Sequence, residues 1–583
     1  MKERILRQWI ILGIWLLLST ALVVTSWAQI RSGVGLDPDD QLRLVQLRDF
    51  LNGQGWFDNR QYRLNQPDGA PMHWSRLIEL PLAAVVVLSA PLFGQVQAEI
   101  IASTALPLLL FGGIILFLAR LASVVGGQKA AIAAAMVAAM SVPLVMQLRP
   151  MRIDHHGWQI AMAVLALASL FYVNARRSGL ILGAALAVWL HISLEGAPMS
   201  AAFFLFLGWQ WLKRPNEGER LFWTIGAFAI SSLTLFLGTQ VQGLRSSIYC
   251  DTVSPPHIWA ILMAASIMLP GLNWAPRQIA WRALIMLSAA GAAILVIALR
   301  APDCLTGAFG TLDPLVREYW YINVMEGMPI WRQERGTAAV LLAGPVIGLA
   351  SCVYLARTAT GQDRANLIIL AFFTFYAVIL SLLVFRTISV ASAYAVVPAA
   401  VMIKDVFARY RQESNPLRRV LCVVAILLLA VPGSWVSSLL DFLPSNQTPH
   451  ATQTEKNAAA CESASSVAAL KALPKGQFLA PFDMAPMILA QTPHNVLASS
   501  HHRSEVAMHD HIQIFRASPD SGYRLMKARG IDYLALCPDE VELANYVRKD
   551  PNGLWAHMAK GEVPDWLEPL PVMGKGIEVW RVR

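Results

Sequence analysis

Long apolar runs separated by short polar turns fill the first 440 residues of the chain and then stop. A run of about 17–23 apolar residues is the length a helix needs to cross the hydrocarbon core of a bilayer. The pattern predicts thirteen spans, at about 9–29, 97–119, 129–148, 157–173, 180–193, 197–212, 221–239, 256–272, 279–299, 337–356, 365–385, 388–404 and 419–440. The segment 77–94 is also apolar, but Pro81 and Pro91 interrupt it. Counting it as a span would invert every later loop, so it reads as an interfacial helix lying along the membrane. Beyond residue 440 the periodicity shortens. Gln477–Ala480, Asn495–Ala498 and Tyr533–Leu536 read as strands, and the stretch from Asp520 reads as a helix ending at Gly530. The pattern predicts a polytopic α-helical membrane part at 1–440, with an outer loop at 30–78, and a small α/β domain at 441–583.

Composition agrees: 56% of the residues are hydrophobic and 15% are charged, more apolar than a soluble protein of this size requires. Basic residues gather in alternate turns. They are Arg120 and Lys129; Arg176 and Arg177; Lys213, Arg214 and Arg220; Arg277 and Arg282; Arg357 and Arg364; then Lys404, Arg409, Arg411, Arg418 and Arg419. The positive-inside rule puts these turns and the N-terminus in the cytoplasm. The tail then lies outside, in the periplasm if the membrane is a bacterial inner membrane. The net charge of +9 is therefore a membrane signature and no argument for nucleic acid. Ser26-Trp27-Ala28 would suit a signal-peptidase site, but the run before it is long for a signal peptide, which favours an uncleaved first span. Cys250, Cys304, Cys461 and Cys537 fall outside on this topology, while Cys352 and Cys422 lie within spans. Pairs Cys250–Cys304 and Cys461–Cys537 would suit an oxidising compartment, and the sequence leaves the connectivity open.

Three acid-bearing segments sit just outside spans on that same outer face: Asp37-Pro38-Asp39-Asp40, Asp154-His155-His156 and Val324-Met325-Glu326. Charged groups are costly near lipid, so their convergence points to a site. Each has a plainer reading. One of Asp37, Asp39 and Asp40 can cap a helix starting near Gln41. Asp154 can pair with Arg149 or Arg152, or with His156 it can offer oxygen and nitrogen to a divalent cation. Glu326, among Tyr319, Trp320, Tyr321, Met328 and Trp331, can be a surface acid on an anchored loop, or part of a loop docked over a groove. The outer loop also carries Arg43, Arg48, Arg60, Arg63 and Arg76, against the positive-inside trend, and a phosphate is the natural partner for such charge. Arg386 starts the twelfth span from outside; it can snorkel to headgroups or bind an anionic ligand from the bilayer.

These motifs, in this order, resemble the GT-C class of membrane glycosyltransferases, most closely the STT3-type oligosaccharyltransferases. Asp37-Pro38 is similar to the acid after the family's first span. Asp154-His155-His156 is similar to its second motif, written Asp-x-His in archaeal members. Val324-x-Glu326-x-x-Pro329-x-Trp331 is similar to its late-loop motif, and Arg386 to its donor-binding arginine. The resemblance covers about residues 1–440. The Trp-Trp-Asp-Tyr-Gly element that reads the family's Asn-x-Ser/Thr acceptor is absent, which puts asparagine-linked glycosylation in doubt. In its place the tail offers Asp483, His501, His502 and Arg503, read here as solvated rather than facing the site.

The resemblance implies a polyprenyl phosphate or diphosphate sugar donor and a glycan, lipid or protein acceptor outside the membrane. It implies Asp37, Asp154 and His156 around a Mg²⁺ or Mn²⁺ ion, and Arg386, helped by Arg152, on the donor phosphate. Asp39, Asp40 or Asp37 itself would accept the acceptor's proton, and Glu326 would position acceptor or metal. The rival class is a transporter or flippase of lipid-linked glycans. Transporters place their charges near the midplane, whereas here the acids gather at one face, which favours an enzyme.

Overall fold

The computed structural model describes residues 2–240, 247–274, 276, 278–441, 461, 463–538, 540–571 and 576–583. Arg277 and the join between the two parts, including the start of the tail near Ala458, lie outside the described residues. Among the described residues, nine helices are long and apolar enough to cross a membrane, or up to eleven if each of two bent pairs forms one span. The bent pairs are Gln128–Met140 with Val142–Leu148 and Pro416–Ala430 with Pro432–Leu440. Three of the expected spans fall on shorter or more polar helices, His156–Ser169, Ala175–Ile192 and Ala197–Lys213. Conversely Arg76–Phe93, expected to lie along the surface, is long and apolar enough to cross. Its prolines do not break it. Pro81 sits in the first turn of the helix Glu79–Phe93, where a missing N–H costs no bond, and Pro91 lies in its last turn.

Between helices in lipid the hydrophobic effect contributes little, so association rests on close packing and small residues. Ala175–Ile192 and Gly218–Thr239 show this. A Cβ on Gly183 would meet the Thr224 carbonyl oxygen, so only glycine allows the approach. Among the candidate spans of the described residues, the one containing Ile388–Gln412 is the most enclosed, and the buried Tyr394 hydroxyl donates to the Ala163 carbonyl at 3.0 Å. Phe203 stacks on Phe373 with centroids 4.3 Å apart. Together these contacts fix the helix ends that carry the site.

A two-stranded ribbon, β1 (Arg60–Gln61) and β2 (Ala70–Pro71), lies in the outer loop. The C-terminal part holds a five-stranded sheet of β3 (Gln477–Leu479), β4 (Asn495–Val496), β5 (Tyr533–Leu536), β6 (Leu567–Pro569) and β7 (Glu578–Val582), in the order β4-β3-β5-β7-β6. β3 runs parallel to β4 and β5, and β7 is antiparallel to β5 and β6. Helices cover both faces, so the strands read as continuous apolar runs such as Tyr533–Leu536, all buried. Disulfides join Cys250 to Cys304 and Cys461 to Cys537. The outer loop packs directly on this domain. Arg63 donates to the Leu489 and Thr492 carbonyls at 2.7 and 2.9 Å, and Arg48 to the Ala490 carbonyl at 2.6 Å. Those carbonyls end the helix Ala485–Gln491, where cations satisfy unpaired oxygens. Arg48 also pairs with Glu99 at 2.8 Å and Arg76 with Glu79 at 2.9 Å. The basic outer loop, expected to await a phosphate, is thus largely consumed by internal contacts.

Candidate active site

The first motif is built around a capping box. Asp37 caps the helix Pro38–Leu51: its side chain accepts from the Asp40 N–H at 3.0 Å, and Asp40 accepts in return from the Asp37 N–H at 3.3 Å. Asp40 is fully buried and does more. One of its oxygens accepts the Ile153 and Asp154 N–H groups at 2.8 and 2.9 Å, and the other takes Leu36 N–H and the Arg152 guanidinium, both at 3.2 Å. Its lone pairs are therefore engaged, and it pins the second motif to the first. Gly35 makes room for it, since a Cβ there would lie 2.5 Å from the Asp40 Cβ. The second motif leaves its helix through Met151, whose φ of 69° is the left-handed region that side chains avoid, at a cost on the order of 1–2 kcal/mol. The Met151 N–H bonded to Ser103 at 2.9 Å and the Asp40 contacts hold that turn in place.

Asp154, His155 and His156 follow, all buried, with one ligand atom from each lying within 4.8 Å of the others. Asp154 Oδ2 and His156 Nε2 are 3.3 Å apart, and neither has a hydrogen-bond partner. A buried polar atom left unpaired is costly, so two facing each other fit a shared cation. Asp154 Oδ1 contacts His155 Nδ1. Burial alone would raise the Asp154 carboxyl, but the two imidazoles and Arg152 hold it well below the usual carboxylate range. Asp154 is thereby kept ionised, as a metal ligand must be.

From His156 the polar atoms continue across the site. Gln159 Nε2 lies 3.4 Å from His156 Nδ1 and donates to Glu195 at 3.3 Å. Glu195 pairs with Arg386 at 3.0 Å, and Arg386 reaches Glu326 at 3.5 Å. Arg386 sits on the 3-10 turn Phe385–Thr387, between the helices Gly361–Leu383 and Ile388–Gln412. The Phe385 N–H donates to the Met328 carbonyl at 3.2 Å, tying the Glu326 loop to that turn. His156, Gln159, Glu195 and Arg386 line one open groove of about 440 Å³, whose apolar side includes Met199 and Leu380.

Of the acids singled out in the sequence, Asp37 faces Arg152 and its own helix cap rather than the Asp154–His156 pair. Arg152 itself is held by Asp37 and Asp40, with Asp154 at 3.9 Å. Asp39 points the other way and meets His501 Nε2 of the C-terminal domain at 3.2 Å. Burial raises the Asp39 carboxyl, but His501 and the nearby His155 outweigh it and leave it below its ordinary value.

Of the tail residues expected to be solvated, Asp483 is exposed, but the others are engaged in contacts. His501 and Arg503 are buried, and Arg503 and His502 clamp Asp251 at 2.9 and 2.7 Å. His501 follows β4 and Asp483 follows β3, so both stand at the carboxyl ends of parallel strands, where α/β sheets place their ligands. Two site residues escaped the sequence reading. Glu195 is a lone acid at a helix end, and Gln159 carries no charge to mark it; the acid inside an apolar stretch was the signal available for Glu195.

No protein-family model matches the chain, and no curated protein does. Among solved structures it is similar to the archaeal oligosaccharyltransferase AglB from Archaeoglobus fulgidus, in complex with an inhibitory peptide and a dolichol-phosphate. The TM-score is 0.68 at 14% identity, over 97% of this chain and 73% of that one. It is also similar to an Archaeoglobus fulgidus oligosaccharyltransferase tethered to an acceptor peptide containing an NVT sequon (TM-score 0.61, 14% identity, 97% and 73% covered). A third likeness is to an oligosaccharyltransferase from the same organism in complex with Zn and sulfate (TM-score 0.60, 14% identity, 96% and 71% covered). The fold is therefore that of the GT-C class, in its STT3-like form: a polytopic helical membrane part followed by a small α/β domain.

Proposed function

We propose that this chain is a glycosyltransferase of a bacterial inner membrane, with its C-terminal domain in the periplasm. It would move a sugar or oligosaccharide from a polyprenyl phosphate or diphosphate donor to an extracytoplasmic hydroxyl of a glycan, lipid or protein. The reading rests on one observation: an unbroken line of polar side chains, from the Asp154–His156 pair through Gln159, Glu195 and Arg386 to Glu326, in a fold shared with AglB. That neighbour holds a dolichol-phosphate.

Arg386 takes a donor phosphate oxygen by charge-assisted hydrogen bonds. Met199 and Leu380 offer the apolar wall that a prenyl chain needs. Asp154 and His156, with His155 as the third donor of the group, are the residues that fit a divalent cation, Mg²⁺ or Mn²⁺; imidazole nitrogen favours Mn²⁺. Bound there, the ion supplies charge that neutralises the leaving phosphate. Asp40 and Arg152 hold the turn that presents Asp154, and Asp37 supports them through its cap. Asp39, ionised and at the boundary with the tail, is the base of choice. The sugar C1–O(phosphate) bond breaks with its electron pair leaving on phosphate. The acceptor oxygen bonds C1 and yields its proton to Asp39. Glu326, on the loop tied to the Arg386 turn, positions the acceptor.

The test is transfer by purified protein supplied with polyprenyl-phosphate sugars extracted from bacterial membranes, followed as release of sugar-free carrier. Wild type should release it and Asp154→Ala should not, the comparison being made on protein that remains folded by circular dichroism. Equal release by both would remove the metal site from the reaction.

A further inference from the structure

The charge around Arg386 bears on which lipid carrier the groove accepts. Among the described residues that line the groove, Arg386 is the one arginine or lysine and Glu195 the one carboxylate, so their formal charges cancel. The two are in direct contact at 3.0 Å, and the Glu195 side chain is 29% exposed, so it borders the space where a ligand would lie. Gln159 donates to the second Glu195 oxygen at 3.3 Å and is itself held by the Trp189 indole N–H at 3.1 Å. Glu195 is thus fixed against the cation rather than free to swing away. Glu326, at 3.5 Å from the same guanidinium nitrogen, adds a second negative charge, and Asp39 and Asp154 act on Arg386 from further off. Of the other guanidinium groups near Asp154, Arg152 is engaged with Asp37 and Asp40, and Arg43 lies 3.9 Å from both Asp154 and Glu79. A carrier bearing two phosphates brings one more negative charge than a carrier bearing one. With the cation site empty, as in chelator, two carboxylates against the single arginine penalise that added charge, because like charges a few ångströms apart repel.

We infer that Glu195 is a specificity-determining residue that limits the donor to a polyprenyl carrier with a single phosphate, by offsetting the charge of the arginine that receives it. The inference rests on the lipid-donor reading above and deepens it. A purely structural Glu195 would hold Arg386 in place for either carrier alike, so the selectivity between two carriers separates the roles.

The probes are undecaprenyl phosphate and undecaprenyl diphosphate, competing for the purified full-length protein in chelator, with the bound ratio read by native mass spectrometry. Wild type should retain the monophosphate about tenfold or more over the diphosphate, and Glu195→Gln should narrow that ratio about tenfold. Should Glu195→Gln fail to fold, the wild-type ratio alone decides. Equal retention by wild type, or a ratio untouched in Glu195→Gln, overturns the inference and leaves the lipid-donor reading standing. Retention of neither lipid overturns both.

Discussion

Asp40 accepts the backbone N–H of Asp154 at 2.9 Å across 114 residues of chain, and through that bond the first outer loop sets the position of the second motif. Both residues are buried, and Arg152 bridges them from the side. The geometry of the Asp154–His156 pair is therefore a property of two motifs together.

Replacing Asp40 by alanine should cost stability as well as activity. Five donors, four backbone N–H groups and Arg152, lose their acceptor in a dry setting, and breaking such a buried charged network costs about 3–5 kcal/mol. Thermal unfolding should drop by several degrees and transfer should fall with it. An Asp40→Ala protein with wild-type unfolding would show that the turn is held by something else.

Metal binding should depend on Asp154 and His156 jointly. Titrating Mn²⁺ into the purified protein, read by electron paramagnetic resonance, should show one tight ion with nitrogen hyperfine coupling. His156→Ala should weaken binding by at least about 10–100-fold, the loss that follows even from removing a residue that only supports a ligand. Unchanged affinity would mean the two orphaned atoms face each other for another reason.

Asp483 gives a pH signature. Its side chain is exposed, yet its recessed setting and the neighbouring Glu542 and Asp39 carboxylates push its pKa up to about 6. The folded state thus binds its proton more tightly than the unfolded state, whose value is about 3.9. This group opposes folding increasingly as pH rises from about 4 through 6, and its full penalty is present above that. Asp483→Asn should therefore raise the melting temperature relative to wild type near pH 8 and leave it unchanged near pH 4. A shift equal at both pH values would contradict the assignment.

Much of this fold was legible because length and apolarity are all a membrane helix requires. Where the sequence misled, the reasons are local. The helices around Asp154 and Glu195 are short because the site needs helix ends in the interior, so His156–Ser169 has only 14 residues. Pro81 looked like a breaker, but it occupies a first turn. Among the three clustered acids, spacing could not tell the cap from the acid that faces the tail. Asp37 and Asp40 form the box, and Asp39, between them, is turned outward. The tail histidines read as solvated because their partners, Asp39 and Asp251, are hundreds of residues away.

The lipid that accompanies the protein tests the account most directly. Wild type and Asp154→Ala, purified from the same membranes, should be extracted and their lipids identified by mass spectrometry. The account predicts a sugar-loaded polyprenyl phosphate on Asp154→Ala, trapped before transfer, and mainly sugar-free carrier on wild type. Finding no polyprenyl phosphate on either protein would contradict it.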